Sequence, residues 1–155
     1  ELEPAEQDAR RLRVYLDSLA PDKKLHVFDT WQGTPYDDPL CHHKRGEWKA
    51  DLAECRKLVG VNNETSYHPC VFPEVPDYLK DNQYCFVYVD MDTYQATRDA
   101  LEFFWPRMVK GGKIVVDDFC WEPCAGVQKA VHEFGEKYNV VETALHPYTC
   151  IIEKR

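Results

Sequence analysis

The chain has 155 residues and a net charge of −8, from 27 acidic against 19 basic side chains. Hydrophobic residues make up 44% and charged residues 30%, a mixture that fits one globular domain and excludes disordered and collagen-like chains. Its acidity would repel a phosphate backbone, which argues against a nucleic-acid partner, and no apolar run approaches the roughly 18 residues of a membrane helix. Residues 5–19 are expected to form a helix, with Leu12, Tyr15, Leu16 and Leu19 on one face and Pro21 as its stop. Leu25–Phe28 reads as a short strand running into Asp29, followed by a polar loop over 30–46. A helix is expected over 47–59, with Trp48, Leu52, Cys55 and Val59 on one stripe and Gly60 closing it. Residues 65–71 read as a strand weakened by Pro69, and residues 76–80 as a short helix.

Cys85–Val89 is the longest apolar run and ends at once in Asp90. It does not alternate, so burial on both faces is expected, as in a parallel sheet. Thr93–Val109 is expected to be a helix with Tyr94, Thr97, Leu101, Phe104, Trp105 and Met108 inward. Pro106 would kink it and Gly111-Gly112 close it. Ile114–Val116 reads as a strand running into Asp117. Residues 125–137 are helical, and Val140–Thr143 with Tyr148–Ile152 form a closing antiparallel pair around His146-Pro147. Alternating strands and helices imply an α/β fold, with a mostly parallel sheet, helices on both faces and an antiparallel edge.

Seven cysteines in a chain of this length are too sparse for a disulfide scaffold and are read as reduced thiols of a cytoplasmic protein. Cys120 and Cys124 are four apart and could form a disulfide or a thiol pair, but are read rather as lining the substrate side with no chemistry. Cys41-His42-His43 invites a zinc reading, but with no partner cluster in the sequence it is read rather as a solvated or substrate-facing loop. Asn63-Glu64-Thr65 fits a glycosylation acceptor. The start, Glu1-Leu2-Glu3-Pro4, has no signal-peptide character and no initiator Met, so an N-terminally incomplete chain is expected.

Three expected strands end in acids: Asp29, then Asp90 with Asp92, then Asp117 with Asp118. Ligands of open α/β sheets bind at the carboxyl ends of the strands. Clustered carboxylates oppose one another's ionisation, and a hard cation such as Mg²⁺ or Ca²⁺ would hold Asp90, Asp92, Asp117 and Asp118 ionised together. A plainer role exists as well: Asp92 or Thr93 would cap the helix that follows. None of the seven glycines forms G-x-G-x-x-G.

Leu25–Gly33 (Leu-His-Val-Phe-Asp-Thr-Trp-Gln-Gly) resembles the second-strand motif of the macrocin O-methyltransferase family. Val87–Thr97 resembles its fourth-strand motif, Phe104–Phe119 its next helix and fifth strand, and Gly126–Val131 the helix after that. The resemblance runs from residue 25 to about 153. It implies a Rossmann-like methyltransferase sheet, three-layered α/β/α, and dependence on S-adenosylmethionine and Mg²⁺. By position, Asp90, Asp117 and Asp118 would be metal ligands, Asp92 the general base and Asp29 the partner of the cofactor's ribose. The acceptor would be a hydroxyl of a sugar or natural product, and the protein a possible homo-oligomer. The family's first strand and glycine loop should precede the first helix, and this sequence shows neither, so weak binding of S-adenosylmethionine is expected. Cys70 stands where family members often carry Gly.

Two other readings fit parts of the pattern. Asp90-Met91-Asp92 matches the Asp-x-Asp of metal-dependent glycosyltransferases, and with Asp117-Asp118 it distantly resembles haloacid-dehalogenase-type phosphatases. A methyltransferase-like fold kept for binding or assembly would explain the missing glycine loop.

Overall fold

Strands and helices alternate along the chain, as the hydrophobic patterning dictates. The computed structural model describes residues 4–60, 64–146 and 148–155. Its elements are α1 (Pro4–Leu19), β1 (Leu25–Asp29), α2 (Leu52–Val59), β2 (Thr65–Pro69), β3 (Tyr84–Val89), α3 (Tyr94–Phe104), β4 (Met108–Val116), α4 (Ala125–Tyr138), β5 (Thr143–His146) and β6 (Thr149–Glu153). They pack as two compact units, one of Glu1–Pro35 with Arg45–Cys70, the other of Tyr36–Lys44 with Val71–Arg155. The N-terminal residues 1–3, Asn63 of the glycosylation pattern and Pro147 of the closing turn lie outside the described residues.

In the first unit β1 and β2 pair in parallel, Leu25 opposite Thr65 through Asp29 opposite Pro69. β2 ends at Pro69, two residues short of the expected 71, and Cys70 N–H closes the ladder on the Asp29 carbonyl at 3.0 Å. One side of the pair, Leu25, Val27 and Tyr67, packs with Ala9 of α1 and Leu52 of α2 around buried Trp31, Cys55 and Val59. α2 begins at Leu52 rather than 47. Trp48 adopts a positive φ of 60°, which no helix tolerates, and Asp51 supplies the N-cap by accepting from Ala53 and Glu54 N–H. Trp48 is accordingly exposed. α1 also turns a different side inward: Leu12 and Leu16 are half-buried, but Tyr15 and Leu19 are exposed. Arg13 is buried instead, its Nη2 2.6 Å from Asp17.

In the second unit the sheet order is β3-β4-β6-β5. β3 and β4 are parallel, Val87 opposite Ile114 and Val89 opposite Val116. β6 runs antiparallel to both β4 and β5. Val87, Val89, Ile114, Val116, Cys150 and Ile152 are buried on one face of this sheet. From Phe86 onward β3 alternates, with Phe86 exposed and Tyr88 half-buried. The expected burial on both faces therefore does not hold for this strand, which sits at the edge of its sheet. α3 packs on β3, and α4 packs on α3.

α3 stops at Phe104, and a 3-10 turn over Trp105–Arg107 leads into β4. Pro106 has no N–H and cannot continue the helix to Val109. Gly111-Gly112 does not close a helix. It lies inside β4, where the pairing with β3 jumps from Met108 to Lys113. Gly111 has φ of +77°, and a Cβ on Gly112 would fall 2.8 Å from the Val109 carbonyl, so only glycines fit this bulge. β5 begins at Thr143, three residues later than expected. Asn139 takes the left-handed conformation after α4, and Val140 N–H is spent on the Gly135 carbonyl.

Among the described residues β1 pairs only with β2, and β3 pairs only with β4. Direct pairing of the Asp29 strand with the Asp90 strand, one way a sheet lacking its first strand would close, is not seen. No helix among the described residues is long and apolar enough to cross a membrane.

The second side of the β1–β2 pair carries His26, Phe28 and His68. His26 Nδ1 and His68 Nε2 meet at 3.0 Å, and the two rings stack 5.2 Å apart. One of the two facing nitrogens must donate and the other accept, so the bond is lost once both facing nitrogens carry protons. Burial, and then His26, lower the His68 pKa from 6.5 to about 4. Burial and then Lys24 lower that of His26. Because the folded pKa lies below the unfolded one, the unfolded chain binds more protons between these values. The stabilisation is complete above about pH 6.5 and is lost as pH falls toward 4, by up to about 3 kcal/mol. Urea denaturation at pH 7 and pH 5 should show this loss, and His68→Gln should flatten it.

Candidate functional site

The parallel register of β3 and β4 sets Val89 against Val116, so the residues that follow each strand emerge side by side. Asp117 N–H continues the ladder to the Val89 carbonyl at 2.9 Å. One carboxylate oxygen of Asp90 and one of Asp117 lie within 4.8 Å. Asp117 is held from both neighbouring strands: Tyr88 Oη donates to its Oδ2 at 2.6 Å, and Thr149 Oγ1 to its Oδ1 at 3.2 Å. Both contacts place hydroxyls around a strand-end carboxylate that the chain cannot move without breaking the sheet's edge.

Asp92 and Asp118 form the second pair, with carboxylate oxygens within 4.8 Å of each other and of Cys124 Sγ. Both residues have φ of 55°, a left-handed conformation that asparagine and aspartate tolerate better than most residues. Burial, a hydrogen bond with Asp92 and the charges of Asp92 and Asp117 push the Asp118 carboxyl up to about 7, while His43 pulls it down. Both residues are half-buried, and close like charges oppose each other's ionisation.

The sequence-derived metal set of Asp90, Asp117 and Asp118 thus falls into two adjoining pairs, Asp90 with Asp117 and Asp118 with Asp92. All four donors are carboxylates, and the charges of Asp92 and Asp117 help to raise the Asp118 pKa. That donor set fits a hard divalent cation.

Asp92 and Thr93 do not cap α3. Thr93 stands at the cap position without a side-chain hydrogen bond. The cap comes from Asp38, which is 7% exposed. Its Oδ2 accepts from Tyr94 N–H at 2.6 Å and its Oδ1 from Leu40 N–H at 2.8 Å. The carboxylate of Asp92 is thereby left to the site. Nothing in the sequence near residue 94 points to a cap 56 positions upstream.

The 38–42 segment is also fastened to the start of α4: His42 N–H donates to the Pro123 carbonyl at 2.8 Å, and Gly126 N–H to the Leu40 carbonyl at 3.1 Å. A Cβ at Gly126 would fall 2.8 Å from Tyr94 N, so a glycine lets the two helix starts meet. Between these bonds, buried Cys41 and Cys124 bring their sulfurs to 3.7 Å. The pairing of Cys120 with Cys124 is not formed. Cys120 is exposed and accepts from Gln128 Nε2. All seven cysteines are free thiols.

Asp29 belongs to the first unit, at the carboxyl end of β1. Its Oδ1 accepts from Trp31 N–H at 2.7 Å, with Trp31 at φ of 60°. Burial raises its pKa, and hydrogen bonds from Trp31 and Thr30 pull the other way.

The described chain shares its fold with Rossmann-like O-methyltransferases. The O-methyltransferase NovP superposes with a TM-score of 0.81 at 18% identity, covering 94% of this chain and 66% of NovP. The family model described as macrocin O-methyltransferase matches residues 12–147, and the chain belongs to that family. Mycinamicin III 3''-O-methyltransferase of Micromonospora griseorubida is 36% identical over 137 residues, covering 77% of this chain and 52% of that protein. A tetracenomycin rhamnosyl 4'-O-methyltransferase of Streptomyces olivaceus is 30% identical over 80 residues, 52% of this chain and 30% of that protein. The chain therefore spans about half or less of the length of these curated relatives.

Replacing Asp38 by Ala would leave the N–H groups of Tyr94 and Leu40 without their acceptor. A loss of about 2 kcal/mol is expected, read as a lower urea midpoint for the variant.

Proposed function

We propose that this chain serves an S-adenosylmethionine- and Mg²⁺-dependent O-methyltransferase whose acceptor is a hydroxyl of a sugar or other natural product. The observation that carries this reading is the pair of carboxylate clusters, Asp90 with Asp117 and Asp92 with Asp118, at the ends of β3 and β4, in a chain of the macrocin O-methyltransferase family. The two curated relatives, O-methyltransferases of mycinamicin III and of a rhamnosyl-tetracenomycin, support the acceptor class. They also favour methyl transfer over the glycosyltransferase reading of Asp90-Met91-Asp92.

Asp90, Asp117 and Asp118 would hold the metal, with Tyr88 and Thr149 fixing the Asp117 carboxylate. Bound there, Mg²⁺ would lower the pKa of an acceptor hydroxyl. Asp92 would take the proton of that hydroxyl at its carboxylate. It is suited to the task because Asp38 relieves it of capping and because Asp118 already exchanges a hydrogen bond with it. S-adenosylmethionine, when bound, would supply the methyl group that the acceptor oxygen takes up. Asp29 would hold ribose hydroxyls, its Oδ1 already oriented by Trp31 N–H. Much of the rate gain would come from holding acceptor and methyl donor in line.

Calorimetric titration of the chain with Mg²⁺ or Mn²⁺ should show one site, lost in Asp117→Ala. Equal affinity in the two proteins would overturn the metal assignment. The chain has no glycine-rich loop, so binding of S-adenosylmethionine weaker than micromolar is expected from the same instrument. A micromolar or tighter Kd would show that the loop is dispensable here.

A further inference from the structure

The thiols and the imidazole beside the acid pair have no part in methyl transfer, yet they are arranged as a set. Cys41 and Cys124 are 3% and 0% exposed, and one nitrogen of the His43 ring joins their sulfurs in a group whose members all lie within 4.8 Å of one another. We propose that Cys41, His43 and Cys124 bind one zinc ion, separate from the hard-cation site on the carboxylates.

Three observations carry this. The sulfur separation of 3.7 Å matches the edge of a tetrahedral zinc site, about 3.8 Å for Zn–S bonds of about 2.3 Å. The ligands are preassembled. The backbone bonds from His42 to Pro123 and from Gly126 to Leu40 bracket the two cysteines, and the His43 ring packs against Trp121, with centroids 5.9 Å apart. The His43 backbone N–H donates to Cys41 Sγ, although burial, the larger influence, raises the Cys41 thiol above its ordinary pKa, so a bound metal would have to draw off the proton. Two thiolates and an imidazole select zinc over Mg²⁺, while the neighbouring all-carboxylate set selects the reverse.

Three protein ligands leave one tetrahedral position. Asp92 and Asp118 are near neighbours of the set, with carboxylate oxygens within 4.8 Å of Cys124 Sγ. Binding displaces the two thiol protons to solvent and changes no oxidation state. The ion would clamp the segment that carries Asp38 onto the N-terminus of α4. The cluster at Cys41-His42-His43 lacked a partner in the sequence. The fold supplies one in Cys124, 83 residues away.

The test is cobalt substitution of the reduced chain, with zinc content measured in parallel. One equivalent of Co²⁺ should give a thiolate-to-cobalt charge-transfer band in the near ultraviolet and the visible bands of a tetrahedral ion. Zn²⁺ should bleach both, and excess Mg²⁺ should not. Cys41→Ser and Cys124→Ser should remove the charge-transfer band or weaken zinc binding by at least about 100-fold, and Asp117→Asn should leave the band intact. The wild-type spectrum keeps the proposal falsifiable even if the serine variants do not fold. Cobalt bound without a thiolate band, a band lost in Asp117→Asn, unchanged zinc affinity in both serine variants, or a Cys41–Cys124 disulfide in place of metal would each overturn the assignment.

Discussion

Mutual repulsion among four aspartates is the constraint around which the second unit is built. Asp90, Asp92, Asp117 and Asp118 sit at the ends of two adjacent parallel strands, and no backbone rearrangement separates them while Val89 stays opposite Val116. The chain tolerates them by dividing them. Asp90 and Asp117 share one locality, with hydroxyls of Tyr88 and Thr149 on the Asp117 oxygens. Asp92 and Asp118 are turned aside by left-handed backbone and joined by a hydrogen bond. Strained backbone of this kind persists where surrounding structure holds it in place. Here the ladder bond from Asp117 to Val89 and the anchored 38–42 segment do so.

That segment shows how a distant residue changes the chemistry of a local motif. An aspartate just before a helix is ordinarily a capping residue. Asp38 takes that duty from across the chain, and the carboxylate of Asp92 can then face another acid. The setting of the Asp92 carboxylate is thus a property of residues 36–44 as much as of its own motif.

The acid-bearing strand ends were legible in the sequence because each apolar run stops abruptly at aspartate: Val27-Phe28 at Asp29, Val87-Tyr88-Val89 at Asp90, and Val115-Val116 at Asp117. The parallel order and the antiparallel close followed from the same patterning. Other features escaped local reading. The helix pattern from residue 47 was broken by the positive φ of Trp48, which periodicity does not see. Gly111-Gly112 looked like a helix stop, whereas Pro106 had already ended the helix and the glycines served a bulge. The apolar stripe of α1 included Tyr15 and Leu19, which lie exposed, and omitted Arg13, which is buried. The Asp38 cap and the Cys41–Cys124 approach join residues 56 and 83 positions apart. No spacing rule spans such distances.

The double duty of residues 36–44 has an evolutionary consequence. Surface loops usually drift freely and change specificity at little cost to folding. This one holds a helix start through Asp38 and meets the α4 entrance through Leu40, Cys41 and His42, so substitutions in it are felt by stability and by the site together. Diversification among relatives should then come as correlated changes, with a new residue at 38 or 41 tolerated only alongside an altered partner near 94 or 124. Such epistasis would slow change in this loop.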